Sequence, residues 1–207
     1  MSQKQATRNA ITLKGSTAIV TEFFNFAINS ILYHRGVYPA GDFHTVKKYG
    51  QPVLLTEDPN LENYIANILK QVEKWLMSKN INKLVLVVLS ADTRVVRERW
   101  EFDIQIMEPE ASKDGSIPAK PEKDIRAEIR GILKQIVGSN AYMPTLSDPC
   151  IFDILAYTEG DAEVPAEEWK DTHGHLIDAG KAQQVKLKSF DTKLHRIDAM
   201  VAYRYEG

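Results

Sequence analysis

Five histidines and one cysteine are the side chains of this 207-residue chain best suited to chemistry, and their spacing decides how far each could go. His173 and His175 flank Gly174 and could share a metal, but no third ligand stands at a recognisable spacing, so they read as solvent-exposed loop histidines. His34 follows an apolar-periodic stretch and is placed to act as a cation or donor near a helix C-terminus. His195 opens a strand-like segment and has no chemical role assigned to it. Cys150, alone, excludes an intramolecular disulfide and a cysteine-built zinc site, and at the edge of an apolar strand it reads as a packed thiol. Gly180-Lys181 is followed by Ala182 where a phosphate loop needs Ser or Thr, and there is no Gly-x-Ser-x-Gly elbow. Carboxylates neighbour bases, as in Arg97-Glu98-Arg99 and Lys123-Asp124, the pattern of a solvated face. No nucleophile and base assemble, so the expectation is no enzyme, no cofactor and no metal.

Composition narrows the partners. With 26 basic and 28 acidic residues the formal charge is −2, which gives no bulk attraction to nucleic acid or to anionic membrane. The best apolar run, residues 84–89, is strand-sized against the ~18 residues of a membrane span. The polar start lacks the apolar centre of a secretory signal, so an intracellular protein without membrane insertion is expected.

The elements that must position these residues follow from periodicity. Ile19, Val20, Phe23, Phe24, Ala27, Ile28, Ile31 and Leu32 predict a helix over residues 16–35, apolar round enough of its surface to lie mid-core, with Gly36 as a left-handed stop. Residues 41–50 are polar and read as an ordered connection. Asp58 can cap a second helix with Pro59 at its first position and Leu61, Tyr64, Ile65, Ile68, Leu69, Val72, Trp75 and Leu76 following at helical spacing. Residues 81–89 read as a fully buried strand; after a turn at Ala91-Asp92-Thr93, Trp100, Phe102, Ile104 and Ile106 alternate with polar residues, predicting a hairpin with one wet face. Residues 108–123, with Pro109, Pro118 and Pro121, read as a mobile loop. A third helix is expected from about Glu122 to Gly138, a central or late-covered strand over residues 150–158, and two strands over 185–190 and 194–205 joined by Asp191-Thr192-Lys193. Between them residues 159–180, with Pro165 and Trp169, lack periodicity, and a loop of that length inside a compact domain is usually functional or mobile. Trp75 and Trp100 sit in apolar patterns and read as core.

The segments Ile11-Thr12-Leu13-Lys14-Gly15-Ser16, Glu22-Phe23-Phe24, Ile28-Asn29-Ser30-Ile31-Leu32-Tyr33, Gly36-Val37-Tyr38-Pro39 and Val46-Lys47-Lys48-Tyr49-Gly50 carry a resemblance. It continues through Glu98-Arg99-Trp100-Glu101-Phe102-Asp103-Ile104, Val164-Pro165 with Trp169, and residues 190–203. In this order they resemble the mitotic arrest deficient two family of HORMA-domain spindle-checkpoint proteins over nearly the whole chain. The resemblance implies an α+β HORMA domain over residues 11–207 behind a flexible tail, residues 1–10: three central helices on a mainly antiparallel sheet, with a mobile C-terminal safety belt over about 159–205. It implies an adaptor that captures closure-motif peptides by strand addition and switches between open and closed folds to inhibit anaphase onset. In the open form the C-terminal strands occupy the ligand's place; in the closed form they move across the sheet.

By the same resemblance the peptide-binding strand is Cys150, Ile151, Phe152, Asp153, Ile154, Leu155, Ala156, Tyr157 and Thr158. The belt is represented by Trp169, Lys186, Lys188, Phe190 and His195, with Trp169 packing over the peptide. An open–closed self-dimer would use Leu13, Lys134, Gln135 and Tyr142, where the family's usual arginine and phenylalanine are replaced by Lys134 and Tyr142. The implied partners are basic-apolar closure-motif peptides of the coiled-coil checkpoint receptor and of the anaphase-promoting complex activator, and an AAA-type remodelling ATPase with its adaptor. Nucleus, kinetochore and cytoplasm are the expected locations. The rival within the fold is a HORMA subunit of DNA-damage bypass or of the meiotic chromosome axis.

Overall fold

Helix α1 spans Leu13–His34, and its start is set by Thr12, whose hydroxyl accepts the Gly15 amide at 3.0 Å. It ends where Gly36 takes φ +66°, as its position predicts. The computed structural model of the chain describes residues 11–108, 110, 113 and 119–205; the expected tail and most of the expected mobile loop lie outside them. Helix α2, Pro59–Ser78, has the expected cap, Asp58 accepting the Asn60 amide at 2.8 Å. Helix α3 runs over Glu122–Gly138 with Glu122 and Asp124 in its first turn.

Between α1 and α2 the reading of residues 41–50 as a connection is corrected: Phe43–Lys48 (β1) and Gln51–Thr56 (β2) form an antiparallel hairpin. Its turn uses two left-handed residues, Tyr49 at φ +54° and Gly50 at φ +73°, the geometry a two-residue hairpin loop needs.

The main sheet has five strands, all neighbours antiparallel. β3 (Ile81–Ser90), β4 (Val96–Ile106), β5 (Cys150–Thr158), β6 (Ala182–Asp191) and β7 (His195–Arg204) are arranged in the order β5-β3-β4-β7-β6. The three helices cover one face. α1 is central, with Phe23 and Phe24 fully buried and the Phe23 ring centroid 4.9 Å from Phe190 and 5.8 Å from Phe102. β5 is apolar on both faces as expected, yet it is an edge strand: it pairs with β3 along its whole length, and no strand among the described residues pairs with its other side.

The second face of the β3-β4 hairpin is not wet. Val85, Val87, Leu89, Val96 and Leu155 form a separate small core there, with Ile177 packed against it. Arg97-Glu98-Arg99 is likewise not a solvated run. Glu98 is 1% exposed and pairs with Arg35 at 2.6 Å, while Arg99 is 4% exposed. His34, expected as a cation or donor near a helix C-terminus, does stand in the last turn of α1, where partial burial pushes its pKa down and favours the neutral form. Its carbonyl is capped by Asn140, whose amide donates to it at 2.9 Å.

Candidate peptide-binding edge

β5 is nine residues long, roughly 30 Å of backbone whose outward side has no strand partner among the described residues. An exposed edge of that length invites pairing with another chain, and proteins cover such edges when they are not meant for use. Here residues 159–181 run beside the edge without pairing to it as a strand. A groove of about 540 Å³ lies between, walled by Tyr64, Ile68 and Trp75 of α2, floored by residues 153–158, and closed by Val164 and residues 168–174.

Alternation along β5 divides its side chains. Phe152, Ile154 and Ala156 lie opposite Val88, Leu86 and Leu84 and turn to the main core, whereas Ile151, Leu155 and Tyr157 serve the other face. The edge therefore offers backbone groups on an apolar strip. A second recess of about 460 Å³, sharing Tyr64, continues along Cys150, Ile151 and Phe152. The Phe152 ring is held between Tyr38 and Tyr64, at centroid distances of 5.9 and 5.6 Å.

The charge of the groove is acidic, with Asp153, Glu168 and Asp171 against Lys170. Burial pushes the Tyr64 hydroxyl up to about 12, with the Asp153 carboxylate adding to the shift, so it remains a hydrogen-bond donor at neutral pH. Burial also raises the Cys150 thiol, whose Sγ donates to the Asp148 carbonyl at 3.3 Å, in keeping with a packed thiol.

Residues 159–181 are tied down along their length. Trp75 Nε1 donates to the Glu163 carbonyl at 2.9 Å, and the Trp169 ring stands edge-on to Trp75 at 4.9 Å. Past the groove, Arg99 Nε donates to the Gly174 carbonyl at 3.0 Å, Ile177 enters the small outer core, and Arg204 meets Asp178 at 3.1 Å. The His173 and His175 ring centroids lie 4.1 Å apart with the planes tilted by 31°; His173 is exposed and His175 half-buried, with its pKa lowered by burial first and by His173 second.

The sequence-predicted residues thus separate into groups. Residues 153–158 and Trp169 line the groove, and Cys150, Ile151 and Phe152 line the recess beyond it. Lys186, Lys188, Phe190 and His195 lie on β6 and β7, on the far side of β4 from β5. Phe190 and His195 are core residues, and the Lys188 amide donates to Gln135 on α3 at 2.6 Å. Lys134 and Tyr142 are exposed, while Leu13 and Gln135 are half-buried. Arg99 and Tyr64 were not foreseen. Arg99 is masked in sequence by its charged neighbours, and Tyr64 by a helical pattern that suits core as well as groove.

The chain matches the HORMA domain family over residues 16–195. It belongs to the HORMA-domain family. Its HORMA relatives include the mitotic spindle checkpoint protein MAD2 of Zea mays, 45% identical over 99% of this chain and 96% of that one. Mitotic spindle assembly checkpoint protein MAD2A of Homo sapiens is 40% identical, over 99% and 98%. Among solved HORMA structures, a chain of the mitotic checkpoint complex aligns with a TM-score of 0.83 at 38% identity, covering 92% of this chain and 99% of that one. C. elegans HTP-2 bound to the HIM-3 closure motif aligns at 0.78, over 94% and 92%, and with 13% identity it shows the shared HORMA fold alone.

Proposed function

We propose that this chain is a spindle-checkpoint adaptor that takes an extended closure peptide of a partner as an added strand beside β5, under residues 159–181, the first part of the belt expected over about 159–205. The observation that carries the reading is the unpaired edge of β5 facing a groove whose far wall is that belt. Backbone pairing supplies affinity independent of sequence, and the flanking apolar recesses and carboxylates select apolar and basic side chains. The peptides named by the family reading, from the coiled-coil checkpoint receptor and the anaphase-promoting complex activator, have that character. The position of the β6-β7 hairpin beside β4 supports the closed arrangement, since in the open one that hairpin would stand at β5.

The protein acts by binding and performs no chemistry on its partners. Identity of 40–46% to checkpoint proteins over nearly full length favours this pathway over the bypass or meiotic alternatives. Pairing of open and closed copies through Lys134, Gln135 and Tyr142, remodelling by an AAA-type ATPase with its adaptor, and residence in nucleus, kinetochore and cytoplasm complete the reading.

The test is fluorescence anisotropy with a labelled basic-apolar closure peptide, a scrambled control, and an unlabelled competitor added after binding. Sequence-dependent binding with slow release is expected, because the belt must open before the ligand leaves. A folded protein that binds neither peptide, or both equally, removes the reading.

A further inference from the structure

Arg99 stands in the middle of β4 on the outer face of the sheet, where the belt crosses after leaving the groove. It is 4% exposed, and its three nitrogens are divided among three partners. Nε donates to the Gly174 carbonyl at 3.0 Å, Nη2 donates to the Tyr157 hydroxyl at 2.8 Å, and Nη1 pairs with Glu101. Glu101 is shared with Lys83 at 2.9 Å, and Lys83 reaches Asp103 at 3.1 Å, so the buried guanidinium sits in a balanced cluster. One planar fork therefore joins the central sheet, the edge strand and the belt backbone. Lysine cannot reproduce this, since its point charge lacks the fixed geometry of several N–H groups.

Gly174 is fitted to the same contact. A Cβ there would lie 2.8 Å from the Tyr157 hydroxyl, so the belt backbone approaches the guanidinium because residue 174 has no side chain. Both Gly174 and Tyr157 also line the groove, which makes this the belt attachment on the outer face that borders the place of the peptide.

We propose that Arg99 is the clasp of the belt: a positioning residue that sets how long a captured peptide stays, by fastening the Gly174 backbone to the strand that receives the ligand. The inference rests on the peptide-capture reading. The clasp has to part before a ligand held under the belt can leave, so its strength governs release more than association.

The test compares the full chain with Arg99→Lys and Gly174→Ala in two measurements. One is association and competitor-chased release of the labelled closure peptide. The other is the rate of tryptic cleavage after the exposed Lys170 in the peptide-free protein, which tracks belt opening. Losing hydrogen bonds from a charged donor should speed both release and cleavage about tenfold, with association changed less than about threefold. Gly174→Ala should do less harm in a Tyr157→Phe background, where the hydroxyl it would strike is gone. Release and cleavage both within about twofold of the unmodified chain, in variants that melt normally, overturn the clasp. If the unmodified chain holds no peptide, the capture reading falls, and the cleavage rate alone decides: acceleration supports the clasp and an unchanged rate overturns it.

Discussion

The imidazole of His195 is completely buried where α1 begins, with Nδ1 2.7 Å from the Ser16 hydroxyl, which also contacts Thr192. Burial lowers its pKa, outweighing the nearby Leu76 carbonyl, which pulls the other way but does not hydrogen-bond Nε2; Lys79 lowers it further. The unfolded chain takes up this proton near the ordinary value of about 6.5 while the folded chain resists it, so stability is full above that pH and declines as pH falls through it. His34 and His175 shift the same way and contribute to the slope. Melting temperatures between about pH 7.5 and about 5.5 should fall less steeply for His195→Asn than for the unmodified chain; equal slopes would take His195 out of the account. None of this was legible from residue type. A histidine at the start of a strand shows neither its burial nor a partner 179 positions away, and Glu98 and Arg99 looked solvated because local charge alternation does not reveal that the belt and Arg35 cover them.

At the scale of elements, the helices were legible because their signals are local. The Asp58 cap with Pro59, the first-turn acids of α3 and the left-handed Gly36 act within a turn of where they stand. The β1-β2 hairpin was not, since its paired lysines and weak alternation resemble a connection, and its turn places a tyrosine at positive φ where glycine or asparagine would have marked it. α2 has a second task that its apolar periodicity hides. Trp75 belongs to the core at 2% exposure, yet its indole N–H holds the Glu163 carbonyl and its ring receives Trp169. Trp75→Phe removes that donor, a loss of about 1 kcal/mol, and leaves a small void in the core, so peptide release should quicken several-fold while the melting temperature falls by a few degrees. Stopped-flow competition checks this, and an unchanged rate would mean the first half of the belt is held by other contacts.

For the molecule as a whole, the described sheet ends in two edge strands, β5 and β6, and the place of the β6-β7 hairpin beside β4 is what leaves β5 open to an added strand. Hydrogen exchange should show this directly. Ligand binding should slow exchange of the β5 amides that point away from β3 by at least about tenfold and leave the β4 and β7 amides, already paired in the free protein, nearly unchanged. Protection spread evenly over all five strands would point to general tightening rather than an added strand. The site as a whole was visible in sequence only through family resemblance, because a groove built from a strand edge and an aperiodic loop leaves no pattern of its own. The two indoles that meet at 4.9 Å and 69° have an optical consequence. Chromophores that close share their excited states, whereas Trp100 is enclosed in the core. The near-ultraviolet circular dichroism of the unlabelled protein is therefore a built-in gauge of whether the belt is shut.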